Sequence, residues 1–218
     1  MRSTKRARRA LFRRAVSAVT LVAFVLAQTG ALAGPVADPA APIGFRPSVN
    51  TAPSGASVVN IVAPSAAGTS HNKYSSFDVE APGVVFNNSL GAGTSALAGA
   101  LGANPHLSGA FATVILNEVT GAGASTLGGP LEVFGHAASV IVANPNGITC
   151  AGCSFLNAPR VTLTTGVPFY TGSVLGLNVT GGTLGVSGAG LDASGLQRLD
   201  LVGGAITVNA PEIGRAHV

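Results

Sequence analysis

From residue 57 onward, apolar and polar positions alternate with a period of two, the spacing of a half-buried β-strand. The clearest runs are residues 58–62, 113–119, 131–134, 139–143, 160–164, 177–179, 184–186, 199–201 and 206–208. Each is short, rich in Val, Ile, Leu and Thr, and bounded by Gly, Asn, Pro or Ser, the residues that end strands. Residues 95–101 are rich in Ala and Leu but short and glycine-flanked, and read as loop. Residues 34–56 carry Pro35, Pro39, Pro42, Pro47 and Pro53 and read as an extended leader.

Two of the runs repeat in step. Leu177 and Val179 recur as Leu199 and Leu201, and Leu184 and Val186 recur as Ile206 and Val208, both 22 residues later. A fixed period of this size indicates a solenoid; built from strands, it is a parallel β-helix. Leu, Val and Ile would point inward, and Asn178, Thr180, Asp200 and Thr207 outward. The alternative is a β-sandwich, whose turns recur about every eight to twelve residues.

Composition agrees with small-residue stacking. The chain is 47% hydrophobic, 5% aromatic and 9% charged, with 30 Gly, no Trp and a mean hydropathy of +0.48. So little charge excludes a disordered chain and a long coiled coil. The net charge of +4 misleads, because seven of the twelve basic residues fall within the first fourteen positions. From residue 34 on, five basic residues face eight acidic ones, a net of −3. No basic patch remains for nucleic acid.

The basic block is followed by an apolar run over 15–27 and by Ala31-Leu32-Ala33 before Gly34. That is the layout of a secretory signal peptide, residues 1–33, cut between Ala33 and Gly34. The run of 13 residues is shorter than the ~20 needed to span a bilayer, and a retained anchor is the alternative. The mature chain is therefore expected outside the cytoplasm.

Cys150 and Cys153 are the only cysteines. No second pair and no suitably spaced His supports zinc, and redox chemistry would need a strand–helix setting. In an oxidising compartment a disulfide is expected, provided that Ala151-Gly152 forms a turn bringing the two α-carbons within ~7 Å. Two free thiols are the alternative. Asn144-Pro145-Asn146-Gly147 has the residue preferences of a type I turn, and Asn104-Pro105-His106-Leu107 begins a similar one.

Set among their neighbours, these turns resemble the N-terminal secretion domain of the filamentous haemagglutinin family, the exported partner of two-partner secretion. The resemblance runs in order through residues 58–64, 70–79, 83–89, 115–121, 129–135, 141–148, 155–157 and 160–166. It implies an all-β fold, a right-handed parallel β-helix with an N-terminal cap, over residues 57–211. His106 departs from the family, whose first turn usually reads Asn-Pro-Asn-Leu. The cysteine pair resembles a sub-type that includes contact-dependent growth inhibition proteins.

The resemblance implies a secretion-directing module of a large secreted or surface-exposed adhesin of a Gram-negative cell, without enzymatic activity and without a cofactor. Its partners would be the general secretion machinery, signal peptidase and an outer-membrane β-barrel transporter with periplasmic recognition domains. Host-cell or bacterial surface receptors would be met through regions further downstream. Asn104, Pro105, Leu107, Asn144, Pro145, Asn146 and Gly147 would act either in transporter recognition or as coil-corner turns. The same module could instead head a growth-inhibition toxin. A β-helix polysaccharide-degrading enzyme would need clustered acids, yet Asp78, Glu80, Glu118, Glu132, Asp192 and Asp200 are scattered. Direct glycan or receptor binding is a further alternative, although Tyr74 and Phe77 read as cap packing rather than a sugar platform. Residues 212–218 break the alternation and read like a translated sequencing adapter, so a truncated frame with an artefactual tail is expected.

Overall fold

The computed structural model describes residues 34–213. Those residues wind as a parallel β-helix with three sheets. The first sheet stacks Thr69–Ser76, Val114–Val119, Ser139–Ala143, Arg160–Thr164 and Arg198–Val202, all parallel. The second stacks Ser57–Asn60, Val84–Asn88, Pro130–Gly135, Cys153–Leu156, Leu191–Asp192 and Glu212–Ile213. The third stacks Ser125–Leu127, Ile148–Cys150, Thr183–Val186 and Ala205–Val208. After residue 125 the chain visits third, second and first sheet in each coil.

Period-two alternation turns every second side chain inward. Val140, Val161 and Leu199 lie over one another in register, each at most 1% exposed, as do Leu127, Cys150 and Val186 across the third sheet. Tyr74 and Phe77 join this core edge to face, with ring centroids 5.0 Å apart. Burial pushes the Tyr74 phenol well above its ordinary pKa, and its O–H donates to Asn117 Oδ1 at 3.0 Å.

Residues 34–56, expected as an extended leader, instead close the open end of the helix. Val36–Ala37 pairs antiparallel with the end of Thr69–Ser76, and Ser48–Thr51 pairs antiparallel with Ser57–Asn60. Its small residues make this packing feasible: Ala41, Ala52 and Ala56 are all buried. At the other end, Glu212–Ile213 pairs with Leu191–Asp192, so strand pairing enters the stretch expected as a foreign tail. Residues 214–218 lie outside the described residues.

The repeat is confirmed in one half and corrected in the other. Leu184 and Val186 do lie beside Ile206 and Val208. Leu177, however, pairs with Pro168 in an antiparallel hairpin, and Leu199 stacks on Val161, 38 residues earlier. After residue 114, wherever no insertion intervenes, the stacking offset is 21–25 residues, as between Val140 and Val161 or Val114 and Ser139. The hairpin of Val167–Thr171 and Val174–Asn178 is an insertion in one coil, and its 22-residue echo is coincidental.

A second insertion, Gly93–Ser95 with Gly99–Leu101, replaces the expected loop. It covers the outer face of the second sheet, where Ala52, Ala56, Val58, Val85, Ala98 and Phe134 form a separate apolar cluster.

Candidate functional site: the asparagine corners

A coil that turns from one sheet into the next leaves backbone groups without a ladder partner, and buried ones must be satisfied. The Asn144 corner solves this with one side chain. Asn144 follows the strand Ser139–Ala143, is fully buried, and its backbone N–H donates to Thr164 O at 2.9 Å. Its Oδ1 accepts the N–H of Asn146 at 3.0 Å, and its backbone O accepts the N–H of Gly147 at 3.1 Å. Its Nδ2 donates to Gly123 O and Ser125 Oγ, both at 2.9 Å, in the preceding coil. Pro145 fixes φ inside the turn. Gly147 has φ 120°, and a Cβ there would sit 3.1 Å from Thr183 O of the next coil. Asn146 is exposed at the tip, with Nδ2 donating to Gly121 O at 2.8 Å.

The Asn104 corner repeats the device. Its Oδ1 accepts the N–H of His106 at 2.9 Å, its O accepts the N–H of Leu107 at 3.3 Å, and its Nδ2 donates to Ile61 O at 2.9 Å and Asn87 O at 2.7 Å. Leu107 is buried in the core and Pro105 is exposed. The third position contributes its backbone N–H, which is why His106 fits where Asn146 stands in the other turn. The seven expected turn residues thus occupy two different corners. Asn104 lies on the path from the second sheet to the first, and Asn144 joins the first to the third.

Further asparagines of the same kind lie outside the Asn-Pro motifs. Asn88 Nδ2 donates to Ala112 O and His136 O, and its Oδ1 accepts the N–H of Ala112. Asn72 Oδ1 accepts the N–H of Val62 at 2.9 Å. Asn157, with φ 55°, donates to Val133 O at 2.8 Å and Gly135 O at 3.1 Å. An Asn at or just past a strand end is the signal that marks Asn88 and Asn157.

Cys150 and Cys153 form a disulfide across the corner from third to second sheet, with α-carbons 5.4 Å apart. Both are 1% exposed. Gly152, at φ 126°, supplies the positive φ of the turn, and the N–H of Ala151 donates to Leu127 O of the preceding coil. Ala31 and Ala33, of the expected cleavage site, lie outside the described residues; Gly34 is half-buried at their start.

Five of the six carboxylates named above bond to local structure. Asp78 Oδ1 accepts the N–H of Thr126 at 2.8 Å, and Asp192 Oδ1 that of Ser194 at 2.8 Å. Buried Glu132 accepts the Ser95 hydroxyl at 2.7 Å and the N–H groups of Ala96 and Leu97 at 2.9 Å, seating the 93–101 hairpin. Glu118 Oε2 meets His71 Nε2 at 2.6 Å and Lys73 Nζ at 3.2 Å. Burial alone would raise the Glu118 pKa, but the His71 hydrogen bond and the Lys73 charge outweigh it and hold it below the ordinary value. Asp200 behaves likewise: burial works upward, and the hydrogen bonds from Arg198 and Arg160 carry it below the ordinary value. Among the described residues, no three His, Cys, Asp or Glu side chains gather as a metal site.

Comparisons with known proteins place this architecture. The family model described as the TPS secretion domain matches residues 33–214. The chain is 42% identical to the Toxin CdiA of Yersinia pestis over 205 residues, covering 91% of this chain and 6% of that protein. It is 46% identical to the Hemolysin of Serratia marcescens over 188 residues, covering 85% of this chain and 11% of that protein. The chain therefore spans about a tenth or less of these relatives. Among solved structures, the crystal structure of the filamentous hemagglutinin secretion domain superposes with a TM-score of 0.73 at 43% identity, covering 79% of this chain and 56% of that one. The chain belongs to the TPS secretion domain family.

Proposed function

We propose that this chain is the secretion-directing module of a large secreted or surface-exposed adhesin- or haemagglutinin-like exoprotein. It would cross the inner membrane on residues 1–33 and be read by the periplasmic domains of a dedicated outer-membrane β-barrel. It would then fold coil by coil on emerging, and no catalytic step is assigned to it. The observation that carries the reading is the match to the secretion-domain family over residues 33–214.

Within that reading the two halves of each Asn-Pro turn divide the work. Asn104 and Asn144 are buried and fully bonded, which supports a role as corner determinants. Asn146 and Pro105 stand exposed at the tips, which supports contact with the transporter. The test is export from cells that also make the cognate barrel, paired with refolding of the purified chain. Asn146→Ala should refold normally and be exported poorly, whereas Asn144→Ala should refold to a markedly less stable state. Wild-type export of Asn146→Ala would remove recognition from this turn.

A second reading, a growth-inhibition toxin headed by the same module, is favoured by the Toxin CdiA relative aligned over 91% of this chain. Sequence downstream of the module separates the two.

A further inference from the structure

The hairpin of Val167–Thr171 and Val174–Asn178 carries large apolar side chains on both faces. Pro168 lies opposite Leu177 and Tyr170 opposite Leu175, so these four share the face turned to the first sheet. Leu175 and Leu177 line a groove of about 390 Å³ whose floor includes Val114 and Ile141. A surface hairpin with one face on the body of a protein normally turns polar side chains to water on the other. Here the other face carries Val167, Phe169 and Val174, exposed at 41%, 48% and 67%, with Thr171 and Asn178 as its polar members. The Phe169 ring lies across Gly176, where a Cβ would strike it, and this contact holds the ring outward. Other large exposed aliphatics lie elsewhere among the described residues: Val36 and Ile43 in the N-terminal segment, Leu90 before the 93–101 hairpin, and Val202, Ile206 and Val208 in the last described coil.

Charge decides what could cover this face. No Asp, Glu, Lys, Arg or His occurs between Arg160 and Asp192, a span of 31 residues, so covering the hairpin desolvates no charge of its own. Beside it, in the same groove, stand Arg160 and Arg198, whose side chains are 50% and 58% exposed. Both bond to Asp200, which leaves one positive charge in surplus. Near Tyr170, Glu118 bonds to both His71 and Lys73. An uncharged aromatic and aliphatic hairpin with a cationic flank suits a bilayer interface: apolar tips enter the headgroup region and guanidiniums meet lipid phosphates. A second copy seated on the same patch would bring two cationic flanks together.

We propose that the hairpin 167–178 docks the folded domain onto an anionic phospholipid surface, with Val167, Phe169 and Val174 entering the interface and Arg160 and Arg198 contacting lipid phosphates. The test is co-sedimentation of the folded secreted chain with phosphatidylcholine vesicles, with or without about one-third phosphatidylglycerol. The wild type should sediment with the anionic vesicles. Phe169→Ser with Val174→Ser should weaken binding about tenfold, the loss expected for apolar side chains kept out of the interface. Arg160→Gln with Arg198→Gln should abolish the preference for phosphatidylglycerol. Because the chain has no Trp, Phe169→Trp gives an emission signal free of background, which brominated lipids should quench. Equal binding by wild type and the Ser double variant, absence of wild-type binding, or an unquenched Trp would overturn the proposal. So would a lipid-free dimer in sedimentation velocity that the double Ser variant abolishes.

Discussion

The chain crosses from the first sheet to the third at 144–147 in four residues, and one coil later at 165–182 in eighteen. The two crossings start and finish at equivalent places. Asn144 N–H donates to Thr164 O, and Thr165 N–H donates to Val202 O. In the short crossing a buried carboxamide ties the turn to the coil before it. In the long one, Thr165 Oγ1 donates to Gly181 O at 2.6 Å and accepts the N–H of Gly204 at 3.2 Å, pinching the base of the insertion shut. The corner is what the stack demands; everything between 166 and 180 hangs outside it, free of the stacking constraint. That freedom explains how this segment can present apolar side chains to solvent on one face and to the first sheet on the other.

The contrast breaks most directly at Asn144. Asn144→Ala leaves a turn N–H and two acceptors of the preceding coil unpaired in a dry site, and should cost about 3 kcal/mol in urea unfolding. A cost below about 0.5 kcal/mol would mean that the carboxamide does not hold the corner. Thr165→Val keeps the shape and removes only the pinch, with an expected cost of about 1–2 kcal/mol.

Acid sharpens the comparison at the hairpin's seat, because Glu118 and Asp200 lie next to it. Their folded pKa values sit below the ordinary 4.5 and 3.8. The stability they contribute is complete above the unfolded values and is lost as pH falls through the folded ones. Denaturant midpoints should therefore stay level near neutrality and fall below about pH 4, and Asp200→Asn should flatten part of that limb.

Smaller still is the expected effect of Cys150→Val with Cys153→Leu, which copies Val186 and Leu191 of the next coil. The disulfide closes a very short loop, so stability should change by less than about 1 kcal/mol. Phe169→Ser should leave the unfolding midpoint within about 0.5 kcal/mol of wild type, since the ring is exposed on an element outside the stack.

Strands were legible wherever alternation was apolar: residues 139–143 and 160–164 are strands with those same ends. Thr69–Ser76 has no apolar alternation to mark it as a strand, because its inward positions are Ser70, Asn72 and Tyr74, polar groups whose bonds only the assembled coils supply. The hairpin at 93–101 was hidden for a similar reason, as its anchor, Glu132, lies 37 residues from Ser95. Both Asn-Pro turns were visible as turns, but nothing local reveals that their carboxamides reach into neighbouring coils.

Native-state amide hydrogen exchange measures the division between stack and insertion in one experiment. The account predicts that amides of Val140, Val142, Val161 and Leu163, and the turn amides of Asn146 and Gly147, exchange only with global unfolding, while those of 167–178 exchange much faster through local opening. Equal protection of the hairpin and the stacked strands, or fast exchange at Asn146 and Gly147, would contradict it.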